Sequence, residues 1–358
     1  MFGVDRKRSM VRGVSGLVGI GAALVACGGA PPPPVATVAA PEPTAAPPPV
    51  IASAAPAPEP PPAPPEPPPP PAEPPAYERA LRLFERKCDD GDGRSCEELG
   101  DMAYNGKGMP QDDARAYKAY LRACERERYA GCNVAGYLVR RGRGAPKDDV
   151  KAYELYKRGC EGKDPASCTG LAFMYTEGLG TKRDYPKALA LYTAGCNAKR
   201  GIDCTGQGNL VSEGHGTAKN RQKAVQIFGK ACQLGHFPGC VAEGGMYSHG
   251  WGIPKDEPRA VALYEKACAN GDAEGCRAIG VMLQEGRGTA KDLARSRAMY
   301  QKACDGGDMI GCRGLGQLYH YGEGVPVDLT KAEVLYDKAC TGEDAVACRL
   351  LGDLKSKP

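Results

Sequence analysis

The chain has 358 residues, of which 25% are charged and 6% are aromatic, and its formal net charge is only +4 at pH 7. Loss of the first 26 residues, argued below, would lower this charge to +1. Nucleic-acid-binding domains normally carry a basic excess or a basic stripe, so the charge argues against a nucleic-acid partner.

Residues 1–26 have the pattern of a lipoprotein signal peptide. A basic start, with Arg6, Lys7, Arg8 and Arg12, precedes the apolar run "VSGLVGIGAALVA". That run is shorter than the roughly 20 residues of a transmembrane helix. "LVAC", residues 24–27, resembles the bacterial lipobox, which implies that Cys27 is lipidated and becomes the new N-terminus. The alternative is an ordinary signal peptide with a chance cysteine at its end.

Residues 27–76 are predicted to be a disordered linker rich in proline and alanine. The stretch 31–76 holds 23 of the 32 prolines. Such composition favours polyproline II and excludes helix and sheet, as in a stiff tether. A proline-rich docking site is the alternative. Gly28, rather than aspartate, follows Cys27, and resemblance to enteric sorting rules favours the outer membrane, with the module periplasmic or surface-exposed.

Cysteines recur every 36 residues from Cys88 to Cys340, and a second set follows eight residues after each, from Cys96 to Cys348. A fixed period of this length indicates a solenoid of helix pairs. The predicted solenoid covers 77–358, with a half-repeat at 77–95, seven units over 96–347 and a C-terminal half-repeat at 348–358.

Each unit predicts two helices. In the first helix, the cysteine and the residues three, four and seven positions on form one buried face. A Gly-x-Gly then ends the helix, since glycine suits the left-handed capping conformation. The second helix follows an Asp or Asn N-cap. Four residues after the cap stands a small residue, and four further on an aromatic, as in Ala152 and Tyr156.

The pattern LGxxYxxGxG…KD…A…Y.KA resembles Sel-one-like repeats, which are similar to tetratricopeptide repeats. The cysteine pair in each unit resembles the Helicobacter cysteine-rich protein family. The resemblance implies an all-α fold: an α/α solenoid, a right-handed superhelix of 36-residue helix pairs with one disulfide per repeat. Ala172 in place of the usual glycine and Ser296 in place of the usual alanine are local departures.

Two disulfide patterns are conceivable, because the start of the first helix lies near the end of the second in an antiparallel pair. Pairing within units, such as Cys96 with Cys124, leaves two cysteines unpaired, whereas pairing across the eight-residue turn uses all sixteen. The second pattern also matches what the resemblance implies. The predicted bridges are Cys88–Cys96, Cys124–Cys132, Cys160–Cys168, Cys196–Cys204, Cys232–Cys240, Cys268–Cys276, Cys304–Cys312 and Cys340–Cys348.

The residues predict no catalytic site, no metal site and no cofactor. No serine has a lysine three residues on, Lys-Thr-Gly is absent, and the four histidines are scattered and interpreted as solvated surface residues. The cysteine spacing does not suit zinc. The resemblance nevertheless implies an alternative function, because some cysteine-rich relatives bind or slowly hydrolyse β-lactams.

A binding surface is the favoured prediction. On the tetratricopeptide frame, the second, sixth, ninth and tenth residues of each unit, counted from its cysteine, lie on the concave wall, where they vary between units. Aromatic and arginine clusters are typical binding anchors. The candidate binding residues are Tyr104, Tyr137, Arg140, Arg141, Phe173, His249, Arg277, Arg313, His320 and Tyr321. The expected function is an envelope-anchored scaffold for a protein or peptide partner, including partners associated with peptidoglycan.

Overall fold

The computed structural model describes residues 76–356. The predicted signal peptide, the lipidation at Cys27 and nearly all of the linker lie outside the described residues. Within 76–356 the chain forms sixteen α-helices and no strand. They are α1 (Ala76–Asp89), α2 (Gly93–Asn105), α3 (Asp113–Glu125), α4 (Tyr129–Arg141), α5 (Asp149–Glu161), α6 (Pro165–Glu177), α7 (Tyr185–Asn197), α8 (Gly201–Glu213), α9 (Arg221–Gln233), α10 (Phe237–His249), α11 (Glu257–Ala269), α12 (Ala273–Glu285), α13 (Leu293–Asp305), α14 (Met309–Tyr321), α15 (Leu329–Thr341) and α16 (Ala345–Lys355).

The even-numbered helices are the predicted first helices of each unit, and the odd-numbered ones are the second helices. Successive helices pack against each other, and several even-numbered helices also contact the next even-numbered helix. The all-α solenoid of helix pairs predicted from the sequence is therefore confirmed.

The predicted helix ends are confirmed in all seven units. Each Asp or Asn N-cap of helices α3 to α15 accepts a hydrogen bond from the backbone N–H three residues on, as Asp148 does from Lys151 at 2.9 Å. The first glycine of each Gly-x-Gly takes positive φ, for example 68° at Gly142. The first helices, however, begin three residues before the cysteine. In five of them an aspartate four residues before the cysteine, such as Asp308, caps the helix, whereas Arg128, Arg200 and His236 stand at this position without a side-chain cap.

The small and aromatic residues of the second helix pack against the first helix, as predicted. Ala152 is fully buried and Tyr156 is 3% exposed. The ring of Tyr156 lies between two glycines of successive first helices, and a Cβ on Gly136 or Gly170 would lie 3.1 or 2.5 Å from it. Gly136 stands at the glycine position of the LG dipeptide, and the glycines of that dipeptide in other units, Gly100 and Gly316, would likewise place a Cβ 2.8 Å from the ring of the next second helix. Glycine at this position thus makes room for the aromatic ring.

Both departures from the repeat pattern are accommodated. Ala172 packs beside Ala188 and Tyr192 in a buried cluster. Ser296 is fully buried, and its hydroxyl donates a 2.8 Å hydrogen bond to the Gly280 carbonyl. The serine therefore leaves no unpaired polar group in the core.

All eight predicted disulfides are present, with Cα–Cα distances of 4.4–4.7 Å. Each bridge joins the end of an odd-numbered helix to the start of the next helix, as Cys196 in α7 is joined to Cys204 in α8. Each junction between units consequently carries one covalent link.

Candidate protein-binding surface

The variable residues of the first helices fall into separate structural groups. Positions are numbered from the cysteine of each unit as position 1, so that position 10 is the last residue of the first helix. Positions 2, 6, 9 and 10 form the predicted binding face, and the structure separates them by burial and by partner.

Position 2 makes contacts between units. Arg277 Nε donates to Asp308 Oδ2 at 3.0 Å, and Arg313 Nη1 donates to both carboxylate oxygens of Asp344 at 2.7 and 2.8 Å. Both aspartates cap the first helix of the next unit. Because each arginine side chain is only 22% exposed and already paired, we assign Arg277 and Arg313 to the junctions and not to the binding surface.

In other units the contact between position 2 and the N-cap position of the next first helix uses different pairs of residues. In the first unit the charges are reversed, and Arg128 donates to Glu97 at 2.5 and 2.8 Å. In the fourth unit a neutral pair replaces the ions, since Thr205 Oγ1 lies 2.8 Å from His236 Nδ1. Burial lowers the pKa of His236, which favours its neutral form. The interpretation of His236 as a solvated surface residue is therefore wrong.

Position 9 faces the aromatic residue of the second helix. The Tyr300 hydroxyl donates to Gln284 Oε1 at 2.8 Å, and the Tyr336 hydroxyl lies 3.2 Å from His320 Nδ1. Burial raises the pKa of both tyrosines. In these two units position 9 therefore supplies the partner of a buried hydroxyl.

Position 10 is exposed in all seven units and carries five different residue types, with glutamate in three of the units. These residues are Asn105, Arg141, Glu177, Glu213, His249, Glu285 and Tyr321. We call them the position 10 surface.

Two adjacent units carry an arginine–aromatic cluster, formed by Tyr137, Arg140, Arg141 and Phe173. The Arg140 guanidinium lies over the Phe173 ring of the next unit, 5.0 Å from its centroid, and Arg141 lies 5.9 Å from the Tyr137 centroid. The buried Nε of Arg140 has no hydrogen-bond partner in the described part of the chain. The cluster therefore combines the exposed positive charge of Arg141 with two half-buried aromatic rings and the half-buried guanidinium of Arg140, whose unpaired Nε is buried.

Tyr104 extends this arrangement by one unit toward the N-terminus. Its ring lies edge-on to that of Tyr120, with centroids 6.5 Å apart, and the Arg143 guanidinium lies 5.3 Å from its centroid. Arg143 also makes two 2.8 Å hydrogen bonds to Asp113, which fix its position. Tyr104 is half-buried and belongs to this supporting layer.

Two further aromatic stacks lie at the C-terminal ends of first helices in other units. His320 stacks on Tyr321 at 4.4 Å, and His249 stacks on Trp251 at 4.5 Å. Trp251, with Arg221 5.3 Å from its ring centroid, is 41% exposed. Trp251 was absent from the predicted site, although a tryptophan between the two glycines of a helix stop is a visible signal.

Seven copies of the Sel1 repeat model match the chain, over residues 93–127, 130–164, 165–199, 208–236, 244–272, 273–308 and 310–344. The chain belongs to the Sel1 repeat family. Sel1 repeat proteins are in general scaffolds for protein–protein interaction.

Solved Sel1 repeat structures resemble this chain. A Sel1 repeat protein from Oxalobacter formigenes is 26% identical, with a TM-score of 0.60, over 68% of this chain and 99% of that one. The protective antigen c5321 of uropathogenic Escherichia coli, which displays an SLR fold, is 25% identical, with a TM-score of 0.57. That match covers 77% of this chain and 59% of the antigen, so this chain spans about three fifths of the antigen's length.

Helicobacter pylori cysteine rich protein B is 32% identical over 36% of this chain and 93% of its own, with a TM-score of 0.31. No curated protein sequence matches the chain.

Within 76–356 no three His, Cys, Asp or Glu side chains gather where they could hold a metal ion. None of the helices there is long and apolar enough to cross a bilayer. β-Lactam hydrolysis, implied by the resemblance to cysteine-rich relatives, stays a prediction.

Proposed function

We propose that this Sel1 repeat protein is an envelope-anchored scaffold that binds protein partners through the position 10 surface and the arginine–aromatic cluster. The observation that carries the proposal is that the variable positions differ in burial and in the residues that they contact. Position 2 and several residues at position 9 contact partners in the interior or in the next unit, whereas position 10 is exposed in every unit and its side chains contact only residues of their own unit. Residues that differ from unit to unit along a regular array suit an extended partner.

The cluster supports an acidic partner segment at α4 and α6. Arg141 is exposed at the end of α4, and Arg140 beside it keeps an unpaired Nε while its guanidinium rests on Phe173. A guanidinium that is already held over a ring loses little entropy when it pairs with a carboxylate. Aromatic and arginine side chains together are typical of energetically dominant contacts.

Site-specific photo-crosslinking in cells tests the surface. A photoreactive residue at position 141 or 321 should capture a discrete protein species, which Arg140→Ala should abolish at position 141. The matched control is position 118, an exposed lysine on the second helix α3. Equal capture from positions 118 and 141, or none from 141 and 321, would contradict the proposal.

The lipid anchor at Cys27 is tested separately. Cys27→Ser should move the protein from the membrane fraction to the soluble fraction and should abolish incorporation of labelled fatty acid. Retention of the label in Cys27→Ser would overturn the anchor and leave the binding surface untouched.

A further inference from the structure

The last helix described, α16, presents an incomplete packing face. A Cβ on Gly352 would meet nothing within 4 Å. The equivalent glycines of the six units that have one would place that Cβ 2.4–3.1 Å from the aromatic ring of the next second helix. Leu351 is half-buried here, whereas the equivalent Leu315 is 1% exposed. The glycine socket of α16 is therefore built like the others and holds no ring.

The first helix described, α1, has the sequence of a second helix but no first helix before it to pack against. It carries the small and aromatic residues of a second helix, Ala80 and Phe84, but both are partly exposed. Leu83 is 42% exposed, whereas the equivalent Leu155 and Ile227 are 7% and 9% exposed. The repeat pattern does not extend into the preceding sequence, where prolines stand at the positions of the cysteine and the glycine, residues 60 and 64.

We propose that α16 of one copy packs against α1 of a second copy and completes a 36-residue unit, so that the chains associate head to tail. The Phe84 ring of the second copy would enter the socket at Gly352, as Tyr336 does at Gly316. Burial of Leu83 and Leu351 in the same contact would remove two apolar side chains from water.

Continuing the repeat register across this contact produces matched charges. Position 2 of α16 is Arg349, which is exposed and makes no ion pair with the described residues. Its partner in register is Asp92, the exposed N-cap of α2 in the second copy. The interior pairs at these two positions are Arg277–Asp308 and Arg313–Asp344.

The residues that would meet at position 9 across this contact also fit the repeat register. Ser356 would stand opposite Phe84, which has no hydroxyl to satisfy. The fourth unit already combines a serine and a phenylalanine at these positions, Ser212 and Phe228, both buried. The contact joins two different surfaces and leaves one of each free at the two ends of an open assembly, so copies are added with rising concentration.

Sedimentation velocity on the whole chain, as the cell processes it and in mild detergent, tests the proposal. Wild type should form species that grow with concentration, whereas Gly352→Leu and Phe84→Asp should each remain single copies. The leucine has free space in the single copy, so folding should be preserved, which a thermal melt verifies. A 1:1 mixture of the two variants keeps one intact α1 and one intact α16, and it should form pairs and nothing larger.

A charge exchange tests the register. Arg349→Asp and Asp92→Arg should each weaken association at least tenfold, and the double variant should restore it. Arginine is tolerated at the position of Asp92, since Arg128 occupies it in another unit. The control Arg297→Asp makes the same charge change on an exposed part of α13 and should leave association unchanged.

Wild type and Gly352→Leu that sediment alike, variants that fail to complement each other, or a double variant that is not rescued would overturn the proposal. The position 10 surface is tested at other residues, so failure here leaves the proposed scaffold function standing.

Discussion

Gly195 lies directly against the carboxylate of Asp203: a Cβ on Gly195 would lie 2.1 Å from Asp203 Oδ2. The two residues precede the two cysteines of one disulfide, and Asp203 is 2% exposed. Gly159 and Ser167 have the same relationship one unit earlier, also at 2.1 Å. In four other units the sizes are exchanged, with alanine first and glycine second: Ala123–Gly131, Ala231–Gly239, Ala267–Gly275 and Ala303–Gly311.

This relationship predicts a compensating pair of substitutions. Gly195→Ala should lower the free energy of unfolding by about 1 to 3 kcal/mol through overpacking, because hydrogen bonds to Thr169 and Arg200 hold the Asp203 carboxylate in place. In the Asp203→Gly background the same substitution should be neutral or stabilising, since it recreates the alanine–glycine pair. Urea unfolding of the four proteins with disulfides intact measures the coupling.

A matched control is Gly229→Ala, where the new Cβ would lie 3.4 Å from the nearest atom of Glu243. That distance is an ordinary contact, so the substitution should not destabilise. Additive effects of Gly195→Ala and Asp203→Gly would contradict the account.

The second glycine of each Gly-x-Gly is predicted to be intolerant of any side chain. A Cβ on Gly144 would lie 2.0 Å from the Asp113 carbonyl oxygen of the preceding unit, and its φ is +72°. Gly271 has a similar φ of +85° but nothing within 4 Å. Gly271→Ala should therefore cost about 1 to 2 kcal/mol through backbone strain alone, and Gly144→Ala should cost clearly more. Thermal melts of both variants distinguish the cost of backbone strain from the cost of the clash with the Asp113 carbonyl. Equal losses of stability in the two variants would contradict a clash at Gly144.

Much of the fold could be predicted because its signals repeat within one unit. The N-cap Asp328 and the C-terminal Gly322 of the preceding helix lie in one short stretch of sequence. Because the pattern recurs in seven units, it is not a coincidence of sequence. The junction contacts were missed, because Arg277 and its partner Asp308 are 31 residues apart and lie in different units. A comparison of charges at that spacing would have found them.

The candidate site was less predictable, since variation alone does not distinguish an exposed residue from one with an internal partner. His320 varies because it faces the Tyr336 hydroxyl, whereas Tyr321, the next residue, is 57% exposed. Only three-dimensional structure separates these two causes, and it confines the proposed surface to fewer positions.

Removal of one disulfide should weaken a junction without abolishing the fold. Each bridge closes a short loop, and the chain-entropy relation gives about 2 to 3 kcal/mol for a loop of this length. Cys196→Ser with Cys204→Ser should lower the free energy of unfolding by that amount, which urea unfolding would register as a lower midpoint. Reduction of wild type with dithiothreitol, which opens all eight bridges, should lower it much further. A midpoint unchanged by the double substitution would show that packing alone holds this junction.

Glu243 should make stability depend on pH in the sense opposite to most carboxylates. It occupies the buried position that Ile279 and Leu315 fill in other units, and it is 7% exposed. Burial raises its pKa above the ordinary value of 4.5, and Arg259, with a nitrogen 3.8 Å away, only partly opposes this rise. A carboxyl whose pKa is raised in the folded state favours folding while protonated, so its contribution is present below about pH 4.5 and is lost as the pH rises through the raised value.

Relative to Glu243→Gln, wild type should therefore lose stability as the pH rises from 4 to 7. At pH 7 Glu243→Leu should be more stable than wild type by about 1 to 3 kcal/mol, because it removes a buried charge. Glu257 provides the control, since Lys255 and Arg287 hold its pKa below the ordinary value. Wild type relative to Glu257→Gln should gain stability over the same interval, because a lowered pKa stabilises the fold only once the carboxyl is ionised. Urea midpoints of the three proteins at several pH values measure both slopes, and slopes of the same sign would rule out burial as the origin of the Glu243 effect.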